Sequence, residues 1–276
     1  MIFVTRIPKP PLANLVEILA YNQGYCPAYG KEVILPDGGI DLIIDLTSLP
    51  KNIYDNDRLH TVQTCYRGWI SGMRDRRITI DSGKNLDPCM VIIRFRPGGA
   101  RPFFKFPLHE LANVVVDLEQ VWGQRFYDLR DRLGEAGSPL EVLERLERVL
   151  LEWAGDTLEP HHCMDHAANM IARMRQPLTM KQLTRHIGYS HKHFIKLFEN
   201  HIGMPPKRFA RVMRFQGMIR ELERGVPVSW SQFAQSYGFY DQAHFINEFR
   251  AFAGMTPTRY FQSRGEYMNY LPVFEG

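Results

Sequence analysis

The chain lacks most of what would tie it to a metal, a membrane or an oxidising compartment. It has only four cysteines, Cys26, Cys65, Cys89 and Cys163, widely scattered and without a Cys-x-x-Cys pair. That usage excludes a disulfide frame or a zinc knuckle and fits reduced thiols in a cytoplasm, where we expect the protein. Apolar runs such as Leu42-Ile-Ile44 are far shorter than the roughly 20 residues of a membrane span. The opening Met-Ile-Phe-Val-Thr-Arg-Ile-Pro has no basic segment followed by an apolar core, so no signal peptide is expected. Histidine is scarce as well: before residue 156 only His60 and His109 occur. A metal-dependent cupin-type enzyme gathers several His and a carboxylate on neighbouring strands, and this chain has no His-x-His pair there. His191 and His193 do not supply one, because residues two apart on a helix point in nearly opposite directions. His161, His162, Cys163 and His166 are denser, and His162 and His166 stand one helical turn apart, a spacing that can bind zinc. No partner pair lies near them, so a solvated helix start is the plainer reading. We expect no metal, no cofactor and no catalysis.

What is present is an ordinary globular composition, 45% hydrophobic and 23% charged, over 276 residues, which is room for about two domains. The net charge of +4 hides an asymmetry: from Met170 onward there are 15 Lys and Arg against 7 Asp and Glu, leaving 19 against 23 before it. A basic second half is expected if that end meets a polyanion. The first third reads as strands: Val33 to Leu35, Ile40 to Leu46, Arg77 to Ile80 and Met90 to Phe95, bounded by Pro, Gly and Asp. Helices are predicted over Leu108 to Leu118 and Arg125 to Leu133. Another follows Ser138, with Pro139 at the first helical position and Glu141 at the third, and runs to about Trp153. Asp156 to His161 is the expected linker, and a further helix runs from about His162 to Arg175.

The last hundred residues carry an internal repeat. Gly188-Tyr-Ser-His-Lys-His-Phe194-Ile-Lys-Leu-Phe198 with Gly203-Met-Pro-Pro206 returns as Gly238-Phe-Tyr-Asp-Gln-Ala-His-Phe245-Ile-Asn-Glu-Phe249 with Gly254-Met-Thr-Pro257. A period of about fifty residues means one supersecondary unit used twice. Here it is a short helix, a tight turn at Gly188 or Gly238, and a second helix capped by Ser190 or Asp241. Thr179 starts the first unit, with Leu183 and Ile187 facing inward, and Ser229 starts the second. Phe194, Phe198, Phe245 and Phe249 are core by their helical spacing. Pro205-Pro206 opens a long joining helix through Phe209, Val212, Met213, Phe215, Gln216 and Ile219 to about Glu223, broken by Gly225-Val-Pro227.

These residues resemble the AraC/XylS family of bacterial transcription regulators over about Leu178 to Gln262. The most specific stretch is Gly238-Phe-x-Asp-x-x-His-Phe-x-x-x-Phe249 followed by Gly254-x-Thr-Pro257-x-x-Tyr260. The resemblance implies an α+β chain. Residues 1–155 would be a β-rich, cupin-like or small-barrel effector or dimerisation domain with trailing helices. Residues 156–276 would be an all-α DNA-binding domain with two helix-turn-helix units, at about 178–203 and 228–254, joined by the long helix. Its partners would be double-stranded DNA, RNA polymerase, a small-molecule effector and a second copy of itself.

A recognition helix offers its outward and N-terminal residues to base edges in the major groove. In the first unit these are His191, Lys192, Ile195 and Lys196. In the second they are Gln242, Ala243, His244 and Asn247. Gln and Asn can pair with adenine and Lys with guanine acceptors, while Ile195 and Ala243 suit a thymine methyl or stay silent. Each also reads as a solvated helix residue, and His244 as a packing one. Phosphate contacts are expected from Ser190, Lys207, Arg208, Arg211, Asp241 and Arg259, whereas by the resemblance an Arg near Arg214 bonds within the domain. Tyr25, Tyr66, Trp69 and Phe103, with Tyr29 and Phe104 near them, are candidates for lining an effector pocket, or equally for the sheet's core. Val142 to Leu150 is either a dimer seam or a helix packed inside its own subunit. Besides the metal enzyme, the alternative is a ligand-binding or oligomerisation protein that does not bind DNA.

Overall fold

Short runs of β-branched and aromatic residues, interrupted by Pro, Gly and Asn, build two antiparallel sheets. In this computed structural model residues 1–84, 86–155, 161–174, 183, 188–225 and 229–273 are described. The strands are β1 (Ile2–Arg6), β2 (Val16–Gln23), β3 (Lys31–Ile34), β4 (Ile40–Asp45), β5 (Lys51–Tyr54), β6 (Thr61–Cys65), β7 (Gly68–Ser71), β8 (Ile78–Asp81), β9 (Cys89–Phe95), β10 (Val115–Asp117) and β11 (Tyr270–Val273). One sheet runs β1-β2-β9-β4-β7-β10 and the other β11-β3-β8-β5-β6.

Both faces of the six-stranded sheet are covered, which explains why Ile40 to Leu46 reads as a mixed apolar run. Side chains alternate between faces along a strand. Leu42, Ile44, Val91 and Ile93 join the main core, while Asp41, Ile43, Met90 and Ile92 turn to a cavity between the sheets. The four strands read from sequence are present within a residue or two at each end.

The helix expected over Leu108 to Leu118 is not there. A single turn, Leu108–Leu111, gives way to β10 along β7 and then to helix α1 (Leu118–Trp122). Asn113 sits at φ +61°, which turns the chain out of the helix, and the branched run Val114-Val-Val116 gains more from the ladder than from a helical turn. The next two helices follow expectation as α2 (Gln124–Gly134) and α3 (Pro139–Ala154), where Ser138 accepts from the Glu141 amide. The apolar stripe of α3, including Val142, Leu146 and Leu150, is buried in the chain's own core, so the dimer-seam reading of that stripe is set aside.

The second half begins with α4 (His162–Arg173), then α5 (His191–Ile202), α6 (Pro206–Glu223), α7 (Trp230–Ser236), α8 (Gln242–Ala253) and α9 (Pro257–Ser263). Thr179, Ile187, Pro227 and the expected linker 156–160 lie outside the described residues. The repeat has its physical counterpart in the caps. Ser190 accepts from the His193 amide and Asp241 from the His244 amide, each satisfying a free N–H at a helix start. Phe194, Phe198, Phe245 and Phe249 are each fully buried.

The two halves share one continuous core and meet through α6. At Gly38 (φ +76°) the helix comes so close that a Cβ would overlap the end of Met213. Gln216 of α6, buried, donates to the Pro36 carbonyl at 2.8 Å and to Asn269 Oδ1 at 2.9 Å. Arg208 pairs with Asp75 at 2.9 Å. The last strand, β11, leaves the helical half altogether and pairs with β3 as the edge of the five-stranded sheet, Tyr270 opposite Ile34 and Pro272 opposite Glu32. An edge is where a strand tolerates Pro272, which has no N–H to give.

Candidate nucleic-acid interface and ligand cavity

The cap geometry that starts each recognition helix also decides what faces outward. With Ser190 and Asp241 at the caps, the first turns of α5 and α8 present His191, Lys192, Lys196, Gln242, Ala243, His244 and Asn247 as exposed side chains. Ile195 is half-buried, turned partly toward its own domain. The His244 ring also stands edge-on to Phe239 at 5.2 Å, so its packing role is real although the side chain is exposed. Tyr240, in the turn before α8, is 92% exposed. It was not singled out from sequence, though its place just before the capping Asp241 marks it.

The cationic residues of α6 divide by partner. Lys207 is exposed, and Arg259 is exposed on α9. Arg208 is engaged by Asp75 from the β-rich half. Arg211 makes a two-point pair with Glu248 of α8, both distances 2.8 Å. Arg214 reaches the same carboxylate at 3.3 Å and lies over the Phe239 ring at 4.4 Å, within the domain as the resemblance implies. Burial pushes the Glu248 carboxyl up, but the bonds and charges of Arg211 and Arg214 outweigh it and hold it below the usual carboxylate range. Ser190 and Asp241 already spend a side-chain oxygen on capping, and the Asp241 carboxylate repels a phosphate, so there an amide N–H is the better donor.

A cavity of about 340 Å³ lies between the two sheets. Tyr25 and Trp69 line it. Tyr66 does not: it is 53% exposed on the outer surface. Nor does Phe103, which is buried in the main core against Phe95, ring centres 5.4 Å apart. Both follow from position: Tyr66 lies just past the end of β6 in the turn to β7, and Phe103 sits in a single-turn helix beyond β9. Tyr267 and Tyr270, from the far end of the chain, line the cavity instead. So do Glu32, Lys51 and Arg74. Burial pushes the Glu32 carboxyl up to about 7, against the pull of Lys51, and lowers Arg74 to about 10. Among the described residues no group of three or more His, Cys, Asp or Glu is arranged to hold a metal ion. His162, Cys163 and His166 are exposed, while Asp165 turns to His201 at 3.1 Å. No helix among the described residues is long and apolar enough to cross a membrane.

Residues 183–263 match a family model described as a helix-turn-helix domain, and residues 4–117 match a domain of unknown function, DUF6597. A probable thc operon regulatory protein of Rhodococcus erythropolis is 30% identical over 256 residues, which is 91% of this chain and 60% of that protein. An uncharacterised HTH-type transcriptional regulator of Haemophilus influenzae is 29% identical over 100 residues, 34% of this chain and 32% of the relative. The chain thus spans less than two thirds of either relative. Among solved structures, ToxT from Vibrio cholerae aligns at a TM-score of 0.48 with 9% identity, over 88% of this chain and 98% of that one. A probable AraC family transcriptional regulator from Rhodopseudomonas palustris aligns at 0.33 with 27% identity, over 37% of this chain and 95% of its own.

Proposed function

We propose that the chain is a transcriptional regulator of the AraC/XylS type, as its helix-turn-helix match and its regulator relatives support, and that it binds double-stranded DNA sequence-specifically under the control of a small effector held in the cavity of its β-rich half. The division of labour is the one expected from sequence: residues 1–155 sense, and residues 156–276 bind DNA. One observation carries the reading. The same capped helix occurs twice, and each copy turns charged or amide-bearing side chains outward, Lys192 and Lys196 on α5, Gln242 and Asn247 on α8.

In this reading those residues, with His191, Ala243 and His244, read base edges in successive major-groove segments about one helical turn apart. Lys207 and Arg259 hold phosphates, contributing affinity and salt dependence without sequence information, while Arg208 is held back from the backbone by Asp75. Glu248 holds Arg211 in place, so that only its outer edge meets the backbone. The effector acts by favouring one arrangement of the two halves over another. By the family's habit the protein works as a cytoplasmic homodimer and meets RNA polymerase, and no step of the reading needs a cofactor or a catalytic residue. The test is selection from a random duplex library by the full chain at two salt concentrations. Enrichment of a bipartite site with half-elements roughly ten base pairs apart is the expected result. Sequence-blind binding that vanishes with salt overturns the reading.

A further inference from the structure

The cavity between the sheets is unusual in its walls. Its body is aliphatic and aromatic, with Ile43, Ile53, Ile80, Ile92 and Trp69 facing inward. Against that apolar body stand polar atoms without partners. Asn22 Oδ1, Glu32 Oε2 and Asp41 Oδ1 are buried acceptors with no hydrogen bond among the described residues, and Arg74 Nη2 is a buried donor in the same position. All four residues line the cavity, and Glu32 is only 3% exposed. A buried polar atom left unpaired costs roughly 1–3 kcal/mol, so a group of them around one cavity marks where an occupant's own polar atoms belong. The Glu32 carboxyl, raised to about 7, can serve either way, and the two acceptors on Asn22 and Asp41 still outnumber the one Arg74 donor, which calls for an occupant that donates.

The charges of the lining are balanced. Arg94 bonds both Asp37 and Asp41 of the wall, Glu32 is set against Lys51, and Arg74 brings the cations to three against three carboxylates. A net charge brought into such a site would be desolvated without a counterion. Apolar walls, orphan acceptors and balanced charge therefore select an uncharged, mainly apolar molecule with an O–H or N–H.

The remaining wall comes from the other end of the chain. Tyr267 meets Tyr25 edge-on at 5.9 Å, and Tyr270 opens β11 beside Ile34. Asn269, between them, is the residue that Gln216 of α6 holds. Elsewhere in the lining, Arg74 is followed by Asp75, which holds Arg208. Two short paths thus join cavity wall to joining helix, each made of one peptide link and one polar contact.

We propose that the cavity binds an uncharged, mostly apolar small molecule presenting an O–H or N–H donor, and that the β11 tail is the wall through which its occupancy reaches the DNA-binding half. This deepens the effector-controlled reading and rests on it. The test is calorimetric titration of the full chain with indole, with benzofuran, the isostere lacking the N–H, and with indoleacetate, the charged analogue.

Indole should bind more tightly than benzofuran by several-fold and than indoleacetate by roughly tenfold or more. Tyr270→Ala should weaken indole binding by about fivefold; Tyr267→Leu, on the same wall but outside the β11 ladder, gives the same direction should the first variant fold poorly. Hydrogen exchange should slow on adding indole over both Tyr270–Val273 and the α6 segment around Gln216. Indoleacetate binding as well as indole, none of the three binding, both tyrosine variants binding unchanged, or protection confined to the β-rich half each overturns the proposal. A chain that binds indole yet selects no DNA sequence refutes the regulatory reading and leaves the site standing.

Discussion

Gln216 is the polar joint between the two halves, and replacing it with methionine tests that joint with little change of shape. The amide donates to the Pro36 carbonyl and to Asn269 Oδ1 and accepts from Asn269 Nδ2 at 3.3 Å, with Gln216 2% and Asn269 7% exposed. Each bond contributes a net of roughly 0.5–1.5 kcal/mol, and each partner left buried and unpaired costs about 1–3 kcal/mol. Removing the Gln amide itself from a buried site offsets part of this, so Gln216→Met should destabilise by about 2–4 kcal/mol. Asn269 stands at φ +70°, so the matching variant is Asn269→Gly, which keeps that backbone at ease. Urea unfolding of the two single variants and the double variant closes a cycle. The expected coupling is on the order of 1–2 kcal/mol, because two of the three bonds link these side chains to each other. Additivity within about 0.5 kcal/mol, or a Gln216→Met loss smaller than that, refutes the joint.

Lys196→Ala and Asn247→Ala should each cost ~1–3 kcal/mol on the selected duplex and relax preference at one base position, while binding to random DNA barely changes; equal losses on both would reject base contact. Asp75→Asn releases Arg208 for phosphate, so binding to all sequences should strengthen and the salt slope steepen by about one, read by titration at several salt concentrations. Glu32→Gln should remove a pH dependence. The Glu32 carboxyl is pushed up by burial to about 7 in the folded chain, so the native state keeps a proton that the unfolded chain has lost. That contribution is fully present below the ordinary carboxylate range and is lost as pH rises to about 7, on the order of 3 kcal/mol. The wild type should therefore lose Tm relative to the variant between pH 5 and 7, and parallel curves would exclude it.

The helical half was legible because its signals are local. Ser190 and Asp241 cap within three residues, the phenylalanine pairs recur at one turn, and Pro206 and Pro257 mark starts, so short-range patterns already specify the units. The basic surplus pointed to the same half. Among the cationic residues themselves, sequence could not separate Lys207 from Arg211, because what distinguishes them is Glu248, far along the chain and close in space.

The β-rich half was legible only in part. Four strands with clean apolar patterns were readable, but β5 and β6 each bury a single apolar residue among half-buried or exposed, mostly polar ones, and the helix expected over Leu108 to Leu118 yields to β10 because Val115–Asp117 finds a ladder on β7. Tyr25 and Trp69 were read as candidates for a pocket, and Tyr66 and Phe103 with them, since aromatic type does not say which face a residue takes. Composition and local periodicity, then, determined a DNA-directed chain with a duplicated helical unit in its last hundred residues. Only the tertiary structure decided that residues 267–273 return across the whole chain to become the edge of the five-stranded sheet and a wall of the cavity. A pairing between Tyr270 and Ile34 leaves no periodic trace in either segment, because strand partners are chosen by register, free edges and the shape of the surrounding core.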